Sequence, residues 1–172
     1  MNNIIIGNLI SFVAATFVAA SCLVNNRKTI FFLQFLNNAV LAVAALFFGA
    51  YSSITTLVIC SVRNIVIVKN RFDKKAVIIT ILLVTAAGLT ANNRGLLGLL
   101  PILCAVRYTI CIYLFTDVKR TRINILIDQI TWAIYSFLIL DICSALTSLA
   151  VAAVDIVSMI KEKRNPVLGE EK

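Results

Sequence analysis

Four ionisable residues interrupt runs that are otherwise apolar: Arg63, Arg107, Asp128 and Asp155. Each costs at least about 2.5–3.5 kcal/mol near the centre of a membrane helix, so each needs a partner or water. Two cations and two anions cancel, and the chemistry they offer first is an intramembrane ion pair or gate built from Arg63, Asp128 and Asp155. Arg63 has a plainer alternative, because its long stem can carry the guanidinium to nearby lipid phosphates. The two aspartates are too short to do this as readily, and a pair between Arg63 and Asp155 would serve equally as a structural lock. Arg107 lies near the middle of its run, where only a cavity or a partner is tolerable.

A second polar set joins Gln34, Asn37 and Asn38 to Gln129 and Trp132. Trp132 stands well inside its run, away from the interfacial belt where tryptophan usually anchors. An indole plane beside amide donors and acceptors suits a neutral polar ring such as a sugar or nucleoside. Asn37, Asn38, Arg107, Gln129 and Trp132 are therefore the candidate substrate pathway, against the alternative that the amides join helices and Trp132 fills space. The five cysteines (Cys22, Cys60, Cys104, Cys111 and Cys143) show no paired spacing and read as small packing residues, and no metal site is expected. The chain has no histidine, which removes the commonest general base and metal ligand. No nucleotide signature or nucleophile–base pair stands out, so neither an enzyme nor a cofactor is expected.

The elements that must position these residues are membrane helices. Of the 172 residues, 60% are hydrophobic and 14% charged, far from the half and quarter usual in soluble domains. The mean hydropathy is +0.97. A formal charge of +8 would suggest nucleic acid in a soluble protein, but this much apolar surface argues for lipid. Polar clusters divide the chain into seven candidate spans: 4–23, 29–48, 53–68, 76–91, 96–115, 123–140 and 144–160. No period-two alternation favours a barrel. The first run lacks a basic leader and reads as a retained span rather than a signal peptide.

With seven spans, one side holds Arg27, Lys28, Lys69, Arg71, Lys74, Lys75, Lys119, Arg120, Arg122, Lys161, Lys163, Arg164 and Lys172, and the other only Arg94. Cytoplasmic loops carry the cationic excess, which puts the amino terminus outside and the carboxyl terminus inside. Those cations also attract anionic lipid.

A shift of 92 residues lays Lys28-Thr29 on Arg120-Thr121, Asn37 on Gln129, and the stripe Ser52, Thr56, Cys60, Arg63 on Ser144, Ser148, Ala152, Asp155. The expected plan is thus an all-α membrane protein of two parallel three-helix-bundle repeats joined by a linker helix. The expected divisions are 1–73, linker 74–94, 95–164 and a cytoplasmic tail 165–172. In such repeats the solute site lies at the interface.

The layout resembles the PnuC, SWEET and PQ-loop superfamily of small transporters, and within it the YgjV-like family of bacterial inner-membrane proteins. The residues that carry the resemblance are Arg27-Lys28-Thr29, Gln34, Asn37-Asn38, Gly49-Ala50-Tyr51-Ser52, Arg63-Asn64 and Gly98-Leu99-Leu100-Pro101. The resemblance implies a third helix packed between the first two in each bundle, and a central pathway for a small polar solute. It also implies a hinge at Pro101, although the first-repeat counterpart is Leu9, which puts symmetric rocking in doubt. The leading expectation is a carrier or facilitator of a small polar solute in the bacterial inner membrane, working by alternating access. The alternative is a non-transporting scaffold or partner subunit of an envelope complex. A homo-oligomer or a membrane partner is compatible with either, and nucleic acid with neither.

Overall fold

The computed structural model describes residues 2–22, 24, 26–115 and 118–164. Side-chain surroundings are described for these except at 22, 27, 118, 119, 121, 122, 155 and 158–164. Among the described residues the chain forms seven helices: α1 (Asn2–Cys22), α2 (Arg27–Phe47), α3 (Tyr51–Val68), α4 (Lys74–Thr90), α5 (Leu99–Leu114), α6 (Val118–Leu138) and α7 (Ile142–Arg164). Several begin before their apolar run, because a polar first turn is still helical. Asn26 caps α2 by accepting from the amides of Lys28 and Thr29, and Asp73 caps α4 through Ala76 N–H. The fifth run loses its first residues to an irregular segment containing Gly95 (φ +56°). Pro101 then falls in the first turn of α5, where its missing N–H breaks no helical bond. That placement supplies no kink for a hinge.

The helices that join at their ends do so through left-handed residues. Gly49, Asn70 and Leu140 have φ of 61°, 54° and 67°. At each, the next amide reaches back to close the helix: Ala50 to Ala45 O, Arg71 to Val66 O and Asp141 to Ser136 O. For Leu140 this conformation costs about 1–2 kcal/mol, so its surroundings must hold it.

Six helices form a closed ring, in which α1 touches α2, α2 touches α3, α3 touches α5, α5 touches α6, α6 touches α7 and α7 returns to α1. Helix α4 lies outside, against α3 and α5. Among the described residues α1 does not touch α3, nor α5 α7. The middle helix of each trio is therefore the second and not the third, a correction to the arrangement that the resemblance implies. Small side chains make this order workable. Ala42, Ala44, Ala45 and Ala50 pack with Phe48, Leu57, Tyr135 and Ile139 in one core cluster. A second cluster of Cys60, Val84, Ile102 and Ala105 joins α3, α4 and α5. There Gly88 lets α4 approach so closely that a Cβ would stand 2.6 Å from Ile102 Cγ1.

The outer surface is apolar, with Leu9, Phe12, Val62, Leu82, Leu103, Phe137 and Leu146 all exposed. Three described segments are long and apolar enough to cross a membrane: Asn2–Ser21, Lys28–Phe47 and Tyr51–Val68. Leu99–Leu114, Ile123–Leu138 and Ile142–Val154 are shorter apolar helices.

Candidate functional site

The ring surrounds a partly open cavity of about 110 Å³. That is room for several water molecules, since one needs only about 10–15 Å³ of such space. The cavity spans much of the ring's depth. At the end bearing the basic loops it is lined by Gln34, Arg63, Tyr108 and Ile125. Its middle is lined by Asn37, Asn38, Leu41, Cys60, Asp128, Gln129 and Trp132. Towards the far end stand Ser11, Ser53, Tyr135, Ser136, Asp141 and Ser144. Four of the five pathway candidates, Asn37, Asn38, Gln129 and Trp132, thus share one wall system. Helices α2 and α6 deliver them because residues three and four apart share a helix face. Asn37 and Asn38 are bonded to each other, and Trp132 meets Tyr135 edge to face at 5.7 Å.

Arg107, the fifth candidate, stands outside the cavity wall and is 32% exposed. Its guanidinium donates to the side chain and the carbonyl of Asn124 and lies 3.5 Å from Asp128 Oδ1. The same carboxylate oxygen accepts from the Cys104 thiol at 2.8 Å. Asp128 does line the cavity, so Arg107 acts on the cavity through Asp128 rather than by direct contact.

Arg63 is buried at 4% exposure on α3. Its Nη1 donates to Thr109 Oγ1 (3.0 Å), its Nε and Nη2 to Asn64 Oδ1 (3.3 and 3.1 Å), and the guanidinium sits 5.1 Å from the Tyr108 ring. The head group therefore turns inward to α5 instead of outward to lipid. The Asp155 side chain, and with it the expected pair to Arg63, lies outside the described residues.

This is a membrane helix ring around a polar centre, and its sequence fits a known family across almost its whole length. The chain matches the Imp-YgjV family, described as "Bacterial inner membrane protein", over residues 5–165. It belongs to that family. No curated protein matches, and neither does any solved structure. Membership makes this chain a protein of the bacterial inner membrane, in keeping with its apolar helices.

Several residues of this Imp-YgjV protein's cavity escape a search for charges inside spans. Asp141 lies in the turn before α7, is 4% exposed and caps that helix, its Oδ1 accepting from Ser144 N–H at 3.0 Å. Its Oδ2 accepts from Ser11 Oγ of α1 at 2.9 Å. Beside it, Asn8 donates to Leu140 O (3.0 Å) and accepts from Cys143 N–H (3.0 Å), which holds the left-handed Leu140. Burial pushes the Asp141 carboxyl above its ordinary value, an effect the bonds from Ser144 and Ser11 only partly offset. The signal for Asp141 was present as an Asp-x-x-Ser helix start.

Proposed function

We propose that this chain is a multipass carrier or facilitator for a small polar solute, with seven spans, the amino terminus outside and no chemistry performed on the solute. The observation that carries this reading is the cavity wall made by Asn37, Asn38, Gln129 and Trp132. Amides and an indole inside a membrane ring are expensive to dehydrate unless something polar meets them. A sugar-like or nucleoside-like ring would stack on Trp132 and exchange hydrogen bonds with the amides. The cationic loops at one end support the orientation.

Two parallel repeats working by alternating access belong to the same proposal. In its favour, cavity positions on α2 and α6 pair at one constant spacing: Asn37 with Asp128, Asn38 with Gln129, Leu41 with Trp132 and Ala45 with Ser136. The left-handed residues Gly49 and Leu140, and the helix starts Tyr51 and Ile142, keep that spacing of 91 residues. On this reading the repeat register is 91 residues, one shorter than the 92 that the sequence identities favour. The repeats then differ where they matter, for one presents Asn37 and Leu41 where the other presents Asp128 and Trp132.

The test is reconstitution into liposomes loaded with buffer and challenged with radiolabelled ribose, glucose or uridine. Uptake above that of empty liposomes is expected for at least one, and its loss in Trp132→Ala and Gln129→Ala while both variants remain monodisperse. If none of the probes enters and none alters the Trp132 fluorescence, the carrier reading fails and a non-transporting scaffold becomes the better account.

A further inference from the structure

The end of the cavity nearest the basic loops holds a charge that the carrier reading leaves unused. We propose that Arg63 anchors an oxyanion subsite, which takes a carboxylate or phosphate group, either carried by the solute or as a free ion. The Arg63 side chain is 4% exposed, yet it belongs to the wall of the cavity. Among the described side chains no carboxylate comes within ion-pair distance of it. A buried charge without a counter-ion is costly, and here the cavity leaves room for one.

The donor count points the same way. A guanidinium carries five N–H groups. Nε and Nη2 both donate to Asn64 Oδ1 and Nη1 donates to Thr109 Oγ1, which commits three of them. One N–H on each terminal nitrogen is left without a described acceptor, and such a pair can grip two oxygens of one carboxylate or phosphate. On the same amide that holds the guanidinium, Asn64 Nδ2 is buried and has no acceptor either. Buried donors are nearly always satisfied, so the missing partner is an acceptor. Gln34 and Tyr108, which line the same end, bring no negative charge. Asp128, the carboxylate in the middle of the wall, is already held by Arg107 and the Cys104 thiol. The basic loops beyond this end raise the local concentration of anions.

The solute's part in this rests on the carrier reading, but binding is measured without transport, so failure of one is told apart from failure of the other. Purified protein in neutral detergent is dialysed to equilibrium against radiolabelled inorganic phosphate at constant ionic strength. Saturable binding is expected, displaced by acetate and not by chloride, because the planar fork matches an oxyanion and not a halide. Displacement by ribose 5-phosphate at lower concentration than by unlabelled phosphate assigns the subsite to a group on the solute. Displacement no better than by phosphate assigns it to a free oxyanion. Arg63→Met should weaken binding by at least about tenfold, the scale of one lost charged hydrogen bond. Arg63→Lys keeps the charge but not the fork and should weaken it severalfold, which decides the matter if the methionine variant aggregates. No saturable binding, displacement by chloride as strong as by acetate, or binding unchanged in the monodisperse variants overturns the proposal.

Discussion

Arg63 offers the sharpest test of whether this ring uses its buried charges internally. Three substitutions separate the alternatives: Arg63→Lys, Arg63→Met, and Arg63→Met combined with Asn64→Leu. In Arg63→Met, Asn64 Oδ1 loses both of its donors and Thr109 Oγ1 loses one, while Thr109 keeps its own bond to Ala105 O at 2.6 Å. Leaving a buried acceptor bare costs about 1–3 kcal/mol. Loss of the guanidinium from the Tyr108 face adds up to about 2 kcal/mol. Removing a buried charge returns some of this, so a net loss of about 2–4 kcal/mol is expected. Lysine keeps the charge but not the planar fork, and one ammonium cannot serve Asn64, Thr109 and the ring as the fork does; about 1–3 kcal/mol should go. In the double variant both partners leave, together with an Asn64 Nδ2 that already lacks an acceptor, and much of the loss should return. Unfolding by SDS in mixed micelles reads these differences directly. If Arg63→Lys matches wild type, the guanidinium is reaching lipid phosphate and the inward geometry is wrong. If Arg63→Met is also harmless, the residue holds nothing.

Three further outcomes follow from the same geometry. In a background without native cysteines, Lys74→Cys should be protected from an impermeant reagent added outside intact cells and Asn92→Cys exposed; the reverse would invert the proposed topology. Arg107→Ala should destabilise more than Asp128→Asn, since it strands a carboxylate, and a double-mutant cycle should return roughly 1–3 kcal/mol of coupling because Arg107 is partly exposed; additive losses would mean that the 3.5 Å pair does nothing. Because the folded Asp141 carboxyl lies above its unfolded value, protonation favours the folded chain. Its contribution is full below the unfolded value and lost as pH rises through the folded one. Wild type should therefore gain stability over Asp141→Asn as pH falls from neutral into the carboxylate range, and parallel pH profiles would contradict the burial.

Much of this architecture was legible because lipid makes composition and periodicity decisive. The seven helices follow apolar runs bounded by polar clusters, and their ends shift only where a capping residue such as Asn26 or Asp73 extends a polar first turn. Asn37, Asn38, Gln129 and Trp132 were legible because each is costly in an apolar run. The ring order was not legible, since neighbour choice depends on how closely backbones approach. Ala44, Ala45 and Gly88 permit that approach, but small residues occur on many faces of this chain. Identities such as Ser52 and Ser144 align at a spacing of 92 residues, whereas the left-handed turns at Gly49 and Leu140 stand 91 apart, because sequence identity does not report where a helix ends. For Arg107, depth demands a cavity or a partner without choosing between them; the structure gives it Asn124 and Asp128.

The ring closes at two seams, and they are built differently. The seam between α3 and α5 is strapped from outside by α4, where Gly88 takes the Ile102 side chain against its backbone. The seam between α1 and α7 has no such strap, and its described side-chain bonds gather at the far end: Asn8 to Leu140 and Cys143, and Ser11 to Asp141. With no strap outside it, the α1–α7 seam is held at the far end by these few described bonds, so opening there requires breaking them. Asn8→Ala tests this. It strips an acceptor from Cys143 N–H and a donor from Leu140 O, and it releases a left-handed leucine that costs about 1–2 kcal/mol to hold. Cys60 reports the result, because it lies buried in the cavity wall between the two ends. With the other cysteines replaced, maleimide labelling of Cys60 should be severalfold faster in Asn8→Ala than in the parent, and a bulky reagent should gain more than a small one. Unchanged labelling would place the working seam elsewhere, and faster labelling in Gly88→Leu instead would put it under α4.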